Sequence, residues 1–408
     1  MTYEQTISWL FDIVPSFQDQ GANAYNPGFE KIKPLLAAFG NPHEKIKTLH
    51  IAGTNGKGST SHLLASVLQE AGYKTGLYTS PHLADFRERI RINGEMIALE
   101  LVHEFLLDFK QNHLHLNPTF FELTTLLAFW HFEKSNVDIA VIETGLGGRL
   151  DATNIITPEV SIITNVALDH ESILGDTLQQ IAAEKAGIIK PKVPVVIGET
   201  QEDTAPIFIQ TAKKLQAPVR FADQQPSNQH ESALKGSYQR KNLQTAAIAV
   251  QVLREKDWNI SEDHLRLGFE NVLKNTGLRG RWEVISQQPK LVLDTAHNVA
   301  GVTELMKQIK VESFENLHLV LGFAGDKNVI EMLNLYPKVA HFYFCQPSVK
   351  RRFPVDKLRE LVPNELHYSI YETVQEALLA AQSAAGKGDL ILVGGSNFVV
   401  ADAIAVLG

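Results

Sequence analysis

The chain has 408 residues, 44% of them hydrophobic, which is enough for two or three domains that each bury a core. Its net charge of −8 has both signs interspersed and no long basic run, so wholesale binding of nucleic acid is not expected. A single cysteine, Cys345, excludes an intramolecular disulfide and a cysteine-rich zinc site, and its apolar setting in His341-Phe-Tyr-Phe-Cys345 reads as a buried strand rather than a nucleophile. The amino terminus lacks a basic n-region and an apolar h-region, and no apolar run approaches membrane-spanning length, so a cytoplasmic protein with no membrane partner is expected.

Short β-branched runs alternate with helical patterns along the chain, which predicts parallel α/β sheets. The first series of strands is expected at Thr48–Ala52, Thr75–Thr79, Asp138–Glu143, Val160–Asn165 and Val193–Ile197. In an open α/β sheet the ligand crevice lies beyond the carboxyl ends of the strands, so Gly53, Ser80, Glu143 and Asn165 are expected on one rim. A second series is expected at Leu291–Leu293, His318–Leu321, Phe342–Phe344 and Leu390–Val393, with helices near Val299–Lys310, Val329–Leu335, Val374–Ala385 and Phe398–Val406. The polar stretch Ser286-Gln-Gln-Pro289 is taken as the boundary, giving domains of residues 1–287 and 288–408.

The first chemical signal is Ile51-Ala-Gly-Thr-Asn-Gly-Lys-Gly-Ser-Thr60, a glycine loop between an apolar strand and an amphipathic helix. Glycines at 53, 56 and 58 let backbone N–H groups approach phosphate oxygens, Lys57 supplies a point charge, and the helix adds its dipole. The standard phosphate loop has Ser or Thr directly after its lysine, whereas Gly58 stands there in this chain, so the loop is a variant. A tight strand-to-helix turn needs only one glycine, and nucleotide binding explains three around a lysine better.

Further along, Thr79-Ser-Pro-His-Leu83 leads into Asp85-Phe-Arg-Glu-Arg-Ile-Arg-Ile-Asn-Gly94, a charged loop or short hairpin. The Ser80 hydroxyl at a strand end can join Mg²⁺ coordination, or can simply cap the turn before Pro81. Arg87, Arg89 and Arg91 alternate, so one strand face would carry three guanidinium groups, suited to an anionic substrate or merely to solvent. Glu143 leaves a buried strand directly into the loop Thr144-Gly-Leu-Gly-Gly-Arg-Leu-Asp151 and is placed to hold Mg²⁺ or orient its water. The glycines there do not make a dinucleotide fingerprint, because the third would fall at Leu150, and a hydride-transfer reading fails. His170, beside Asp169 and past a strand end, is a second metal-ligand candidate whose alternative is a structural histidine. Lys185 lies in the apolar context Ile181-Ala-Ala-Glu-Lys-Ala-Gly-Ile-Ile; partial desolvation would lower its pKa and open it to modification, the alternative being an exposed helix cation near Glu184. Around the boundary lie Tyr238-Gln-Arg-Lys-Asn242, Gly277-Leu-Arg-Gly-Arg-Trp282 and Leu293-Asp-Thr-Ala-His-Asn298, and an Arg before a hinge with an Asp after it would place catalysis between domains.

These motifs, in this order, resemble the Mur-ligase superfamily, and within it the folylpolyglutamate synthase and dihydrofolate synthase branch. The resemblance rests on Gly53–Ser59, Thr79-Ser-Pro-His82 with Glu88-Arg-Ile90, Glu143–Asp151, Asp169-His170, Glu184-Lys-Ala-Gly187, Gly280-Arg281 and Asp294-Thr-Ala-His-Asn298. Gly21-Ala-Asn-Ala-Tyr-Asn-Pro-Gly28, and the lack of a separate nucleotide-sugar domain before the loop, favour the folate branch.

The resemblance implies an α/β protein of two domains, an N-terminal P-loop-type parallel-sheet ATPase domain and a smaller C-terminal Rossmann-like domain. It implies ATP held by Gly53, Thr54, Asn55, Gly56, Lys57, Gly58 and Ser59 together with Asn242, Arg281 and Asp294. Mg²⁺ would be held by Ser80 and Glu143, with His170 on a second ion, and Lys185 would be carbamylated. Arg89, His297 and Ser396 would serve the incoming L-glutamate, with Lys57, Lys185 and His297 as the catalytic groups. Ala24, Tyr25, Phe121 and Asp151 would lie by the dihydropteroate or folate. The implied reaction is an ATP-dependent amide ligation through an acyl phosphate, by a monomer. Two rivals are a Mur-type cell-wall amino-acid ligase and a non-catalytic nucleotide-binding switch.

Overall fold

The computed structural model describes residues 28–227, 230–325, 329–363 and 365–408, together with Gln5, Trp9 and Leu10. The chain divides into two compact units, one of residues 1–233 and 239–278 and the other of residues 234–238 and 279–408.

The first unit is built on eight strands: β1 (Thr48–Ala52), β2 (Thr75–Tyr78), β3 (Ile90–Ile92), β4 (Glu95–Met96), β5 (Ile139–Glu143), β6 (Val160–Ile163), β7 (Val195–Ile197) and β8 (Val219–Phe221). Their order is β4-β3-β2-β5-β1-β6-β7-β8, parallel from β2 through β8, with β3 and β4 added antiparallel at one edge. Every residue of β1 and β5 is buried, as apolar runs covered on both faces must be. One core fills the space under helices Leu99–Asp108 and Phe120–Lys134, centred on Phe105, Phe109, Phe129 and Phe132. A second gathers Ile181, Ile188, Val195 and Phe208 around helices Leu178–Ala186 and Ala205–Lys214. The helix Lys57–Glu70 is buried from Ser59 to Leu68. Gly268 of helix Glu262–Glu270 crosses it so closely that a Cβ there would lie 2.6 Å from the Val67 Cα.

The second unit has six strands: β9 (Glu283–Gln287), β10 (Lys290–Leu293), β11 (Leu317–Leu321), β12 (His341–Phe344), β13 (His367–Ile370) and β14 (Leu390–Gly394). Their order is β13-β12-β11-β14-β10-β9, parallel except for β9. Its core joins Trp282, Val292, Leu305, Leu319, Phe342, Phe344 and Leu392. Besides residues 234–238, the continuous stretch of this unit runs from Arg279 rather than from 288, because β9 pairs antiparallel with β10 and Trp282 enters this core. The expected boundary segment is a tight hairpin connection within this unit. Cys345 is buried just past β12, where burial pushes its thiol pKa up, as suits an inert core residue. No helix among the described residues is long and apolar enough to cross a membrane.

Candidate functional site

In the first unit, β2, β5, β1 and β6 are parallel neighbours, so Ser80, Glu143, Gly53 and Asn165 do lie at or just past carboxyl ends on one rim. The glycine loop is fixed by the strand beside it. The Asn55 backbone N–H donates to Asn165 Oδ1 (3.0 Å), and the Thr54 N–H to the Asn165 carbonyl (3.0 Å). The Thr164 hydroxyl donates to the Asn55 carbonyl (2.6 Å). Gly53 and Gly56 have φ of +151° and +83°, and a Cβ would fall 1.8 Å from Thr164 Oγ1 at the first and 2.2 Å from Asn242 Oδ1 at the second. No side chain fits at either place, and Gly56 is thereby packed against Asn242, one of the expected partners of the loop. Helix Lys57–Glu70 begins at Gly56 with no side-chain cap, so its first-turn N–H groups at Lys57, Gly58 and Ser59 are presented without a capping oxygen. Lys57 Nζ donates to the carbonyls of Gly53 (3.1 Å) and Thr54 (3.2 Å).

Beside this loop stands Lys185, only 2% exposed. Its helix receives the 145–150 loop edge-on: the Arg149 N–H donates to the Glu184 carbonyl (2.7 Å), the Arg149 guanidinium pairs with Glu184 (2.7 Å), and a Cβ on Gly148 would lie 2.9 Å from that carbonyl. Burial and the nearby Lys57 charge pull the Lys185 pKa down to about 7, against the opposing pull of Asp169, Asp151 and Glu184. The exposed-cation alternative is excluded by that burial. Asp151 is spent on its own loop: Oδ2 accepts from the Leu146 N–H (2.9 Å), and Oδ1 accepts from the Thr153 N–H (3.0 Å) and hydroxyl (2.5 Å). Phe121 presses its ring on Gly145, where a Cβ would lie 2.5 Å from Cζ.

The three arginines do not share a face. Residues Phe86–Arg89 form a 3-10 turn capped by Asp85, which breaks the alternation that a strand would have imposed. Arg87 pairs with Asp85 (2.7 Å) and Arg91 Nη1 donates to the Gly94 carbonyl (2.9 Å). Arg89 alone is buried, 3% exposed, over the Phe120 ring and donating from Nε to His82 Nδ1 (2.8 Å). Burial and Arg89 together hold the His82 pKa down to about 3, so it stays a neutral acceptor. Glu143 is buried and its charge acts on Arg89. His170 has φ of +53° and its backbone N–H donates to Asp169 Oδ1 (2.9 Å) at the start of the short helix Glu171–Leu174. Among the described residues no three His, Cys, Asp or Glu side chains cluster as a ready-made metal site. Ala24 and Tyr25 lie outside the described residues.

In the second unit, Asp294 leaves the end of β10 and is 2% exposed. Its Oδ2 accepts from the Tyr238 hydroxyl (2.5 Å) and the Trp282 N–H (2.9 Å), and Oδ1 from the Ala296 N–H (2.9 Å). Burial raises its pKa against these donors and Arg281. Arg281 donates to Thr295 Oγ1 and to the Gly280 carbonyl. His297 Nδ1 meets the Thr295 carbonyl at 2.9 Å, which fixes the ring proton on Nδ1. Ser396 caps helix Asn397–Leu407 through the Val399 N–H (3.2 Å). Neither Thr164 nor Tyr238 is singled out by local sequence pattern, since their partners stand 109 and 56 residues away.

A phosphate-type glycine loop on a mostly parallel sheet, with a Rossmann-like sheet in the second unit, is the arrangement expected of a ligase of the Mur class. Residues 51–267 match the Mur ligase middle domain and residues 280–397 the Mur ligase glutamate ligase domain. The chain is 33% identical to the Bacillus subtilis dihydrofolate synthase/folylpolyglutamate synthase, covering 92% of this chain and 94% of that one. It is 35% identical to a probable bifunctional folylpolyglutamate synthase/dihydropteroate synthase of Haloferax volcanii, of which it spans only 50%. Among solved structures, E. coli FolC in complex with DHPP and ADP superposes with a TM-score of 0.87 over 100% of this chain and 98% of that one, at 27% identity. The Yersinia pestis bifunctional enzyme complexed with AMPPNP and Mn ion gives 0.84 over the same shares, at 28% identity. The chain belongs to the folylpolyglutamate synthase/dihydrofolate synthase family, ATP-dependent carboxylate–amine ligases of folate metabolism.

Proposed function

We propose that this chain joins L-glutamate to dihydropteroate and to the glutamate tail of folates, as a cytoplasmic monomer, at the expense of ATP. The observation that carries this reading is the glycine loop at the end of β1, whose positive-φ glycines and uncapped helix start make a backbone cradle for phosphate, with buried Lys185 beside Lys57. A carboxylate is a poor electrophile; transfer of the γ-phosphoryl group makes it an acyl phosphate, which the glutamate amine attacks. Lys57 would leave its loop carbonyls to meet the transferring phosphoryl group, and the first-turn N–H groups would hold the neighbouring oxygens. Asn242, against Gly56, and Arg281 and Asp294 of the second unit are the proposed nucleotide contacts.

Mg²⁺, when bound, neutralises charge on the phosphates. A magnesium ion that arrives with nucleotide needs one or two carboxylates rather than a protein cage, which fits the single buried Glu143 with Ser80 nearby on the rim and His170 for a second ion. Lys185, neutral in a substantial fraction near pH 7, suits reaction with CO₂ to a carbamate. Arg89, His297 and Ser396 are proposed to serve glutamate, and Phe121, beside Gly145, the pteridine-bearing substrate, with Ala24 and Tyr25. Asp151 is proposed to act on that substrate through the loop it holds. The test is glutamate incorporation with stoichiometric ADP release, on dihydropteroate, on tetrahydrofolate and on nucleotide-linked muramyl acceptors. Turnover on the muramyl acceptor alone overturns the folate reading, and hydrolysis without amide formation on any acceptor overturns ligation.

A further inference from the structure

We infer that Tyr238 is a positioning residue for nucleotide use, acting through Asp294. The inference rests on the nucleotide role proposed for Asp294. An ionised carboxylate offers about four acceptor positions. Three are filled here, by the Tyr238 hydroxyl, the Trp282 N–H and the Ala296 N–H, so the carboxylate is held in one orientation. Two of those donors are backbone groups fixed by the fold. The Trp282 N–H is aimed by an uncommon left-handed φ of +50°, held by burial of the indole in the core of the unit. Tyr238 supplies the third donor, and it is the one that a side chain can withhold.

Its ring is placed deliberately. A Cβ on Gly236 would lie 2.6 Å from Tyr238 Cε1, so the ring occupies the space that a side chain at 236 would take. The adjoining Ser237 N–H donates to the buried Gln308 Oε1 (2.8 Å), which fixes this five-residue segment to helix Val299–Ile309. The charged and titratable groups around Asp294 are Arg281, Tyr238 and Tyr336, and burial works against its charged form. Removing the phenol O–H therefore leaves the carboxylate less well oriented and easier to protonate.

Tyr238→Phe is expected to raise the KM for ATP roughly tenfold, the size of one hydrogen bond to a charged group, with a smaller change in kcat and none in the KM for glutamate. The acid limb of the kcat/KM profile for ATP should move up by about one pH unit, which a merely structural role would not produce. Gly236→Ala, which leaves Tyr238 in the chain and displaces only its ring, should show the same split. Replacing Tyr238 by 3-fluorotyrosine, a stronger donor of the same shape, should restore or lower the KM. If Asp294→Asn leaves ATP use unchanged, the role of Asp294 falls and this inference with it. If Asp294→Asn impairs ATP use while Tyr238→Phe and Gly236→Ala alter neither the KM for ATP nor the acid limb, the positioning role alone is overturned.

Discussion

The carboxyl-end rims of the two sheets are built by opposite means. In the first unit, Gly53 and Gly56 occupy places where any Cβ would overlap Thr164 or Asn242, and the strand beside them holds the loop through Asn165. Shape there is set by what is missing, and the first-turn N–H groups of the following helix carry no side-chain cap. In the second unit, Asp294 is a side chain clamped by donors from residues 238, 282 and 296. The first design tolerates no added atom; the second tolerates no lost proton donor.

The comparison is broken most sharply at Lys57. Lys57→Ala should reduce turnover by roughly 10³-fold, the scale of one transition-state charge contact, while melting within a few degrees of the parent, because the ammonium bonds only two loop carbonyls. Near-normal turnover in the folded variant would remove the cradle reading. The units themselves are tested by expression: residues 279–408 should give cooperative unfolding, whereas 289–408, lacking β9 and Trp282, should give an open, dye-binding chain. Equal stability of the two would return the boundary to 288.

Gly56→Ala sharpens the contrast on the backbone side. With φ of +83° and a methyl group placed 2.2 Å from Asn242 Oδ1, it should destabilise by about 1–3 kcal/mol and weaken nucleotide binding, measured by denaturant unfolding and calorimetric titration. The last test is at Lys185 and concerns stability. Its folded pKa of about 7 lies below the ordinary 10.5, so between these values the unfolded chain holds a proton that the folded chain has released, and stability rises with pH across that window. Lys185→Met removes this titration. In CO₂-free buffer at pH 8 the variant should melt higher than the parent, with the gap narrowing as the pH rises towards 10.5 and levelling beyond it, although it cannot form a carbamate and should be inactive. A lower melting temperature at pH 8 would deny that the lysine is held neutral.

The strands that carry the rims were legible because they are short, fully buried and apolar: β1 spans Thr48–Ala52 as expected, and β5 and β14 differ by one residue. The strands that went unseen are edges. β8 is three residues long, and β13 alternates exposed and half-buried residues with no apolar period to detect. The hairpin start at Phe86–Arg89 was misread because Asp85 and Glu88 form a capping box that favours a turn over the alternation of the arginines. At the site, glycines and cations next to one another in sequence were readable. The clamp on Asp294 was not, because hydrogen bonds between residues 56 positions apart leave no local trace.

The chain passes between its two units at residues 233/234, 238/239 and 278/279. As genetic material the second unit is therefore not one exchangeable cassette. A chimera that grafts residues 279–408 onto the first unit of a relative would bring Asp294 and Trp282 but take the hydroxyl donor, or its absence, from whatever the recipient carries at the position of Tyr238. Five residues of this chain thus lie in sequence within one unit and fold with the other.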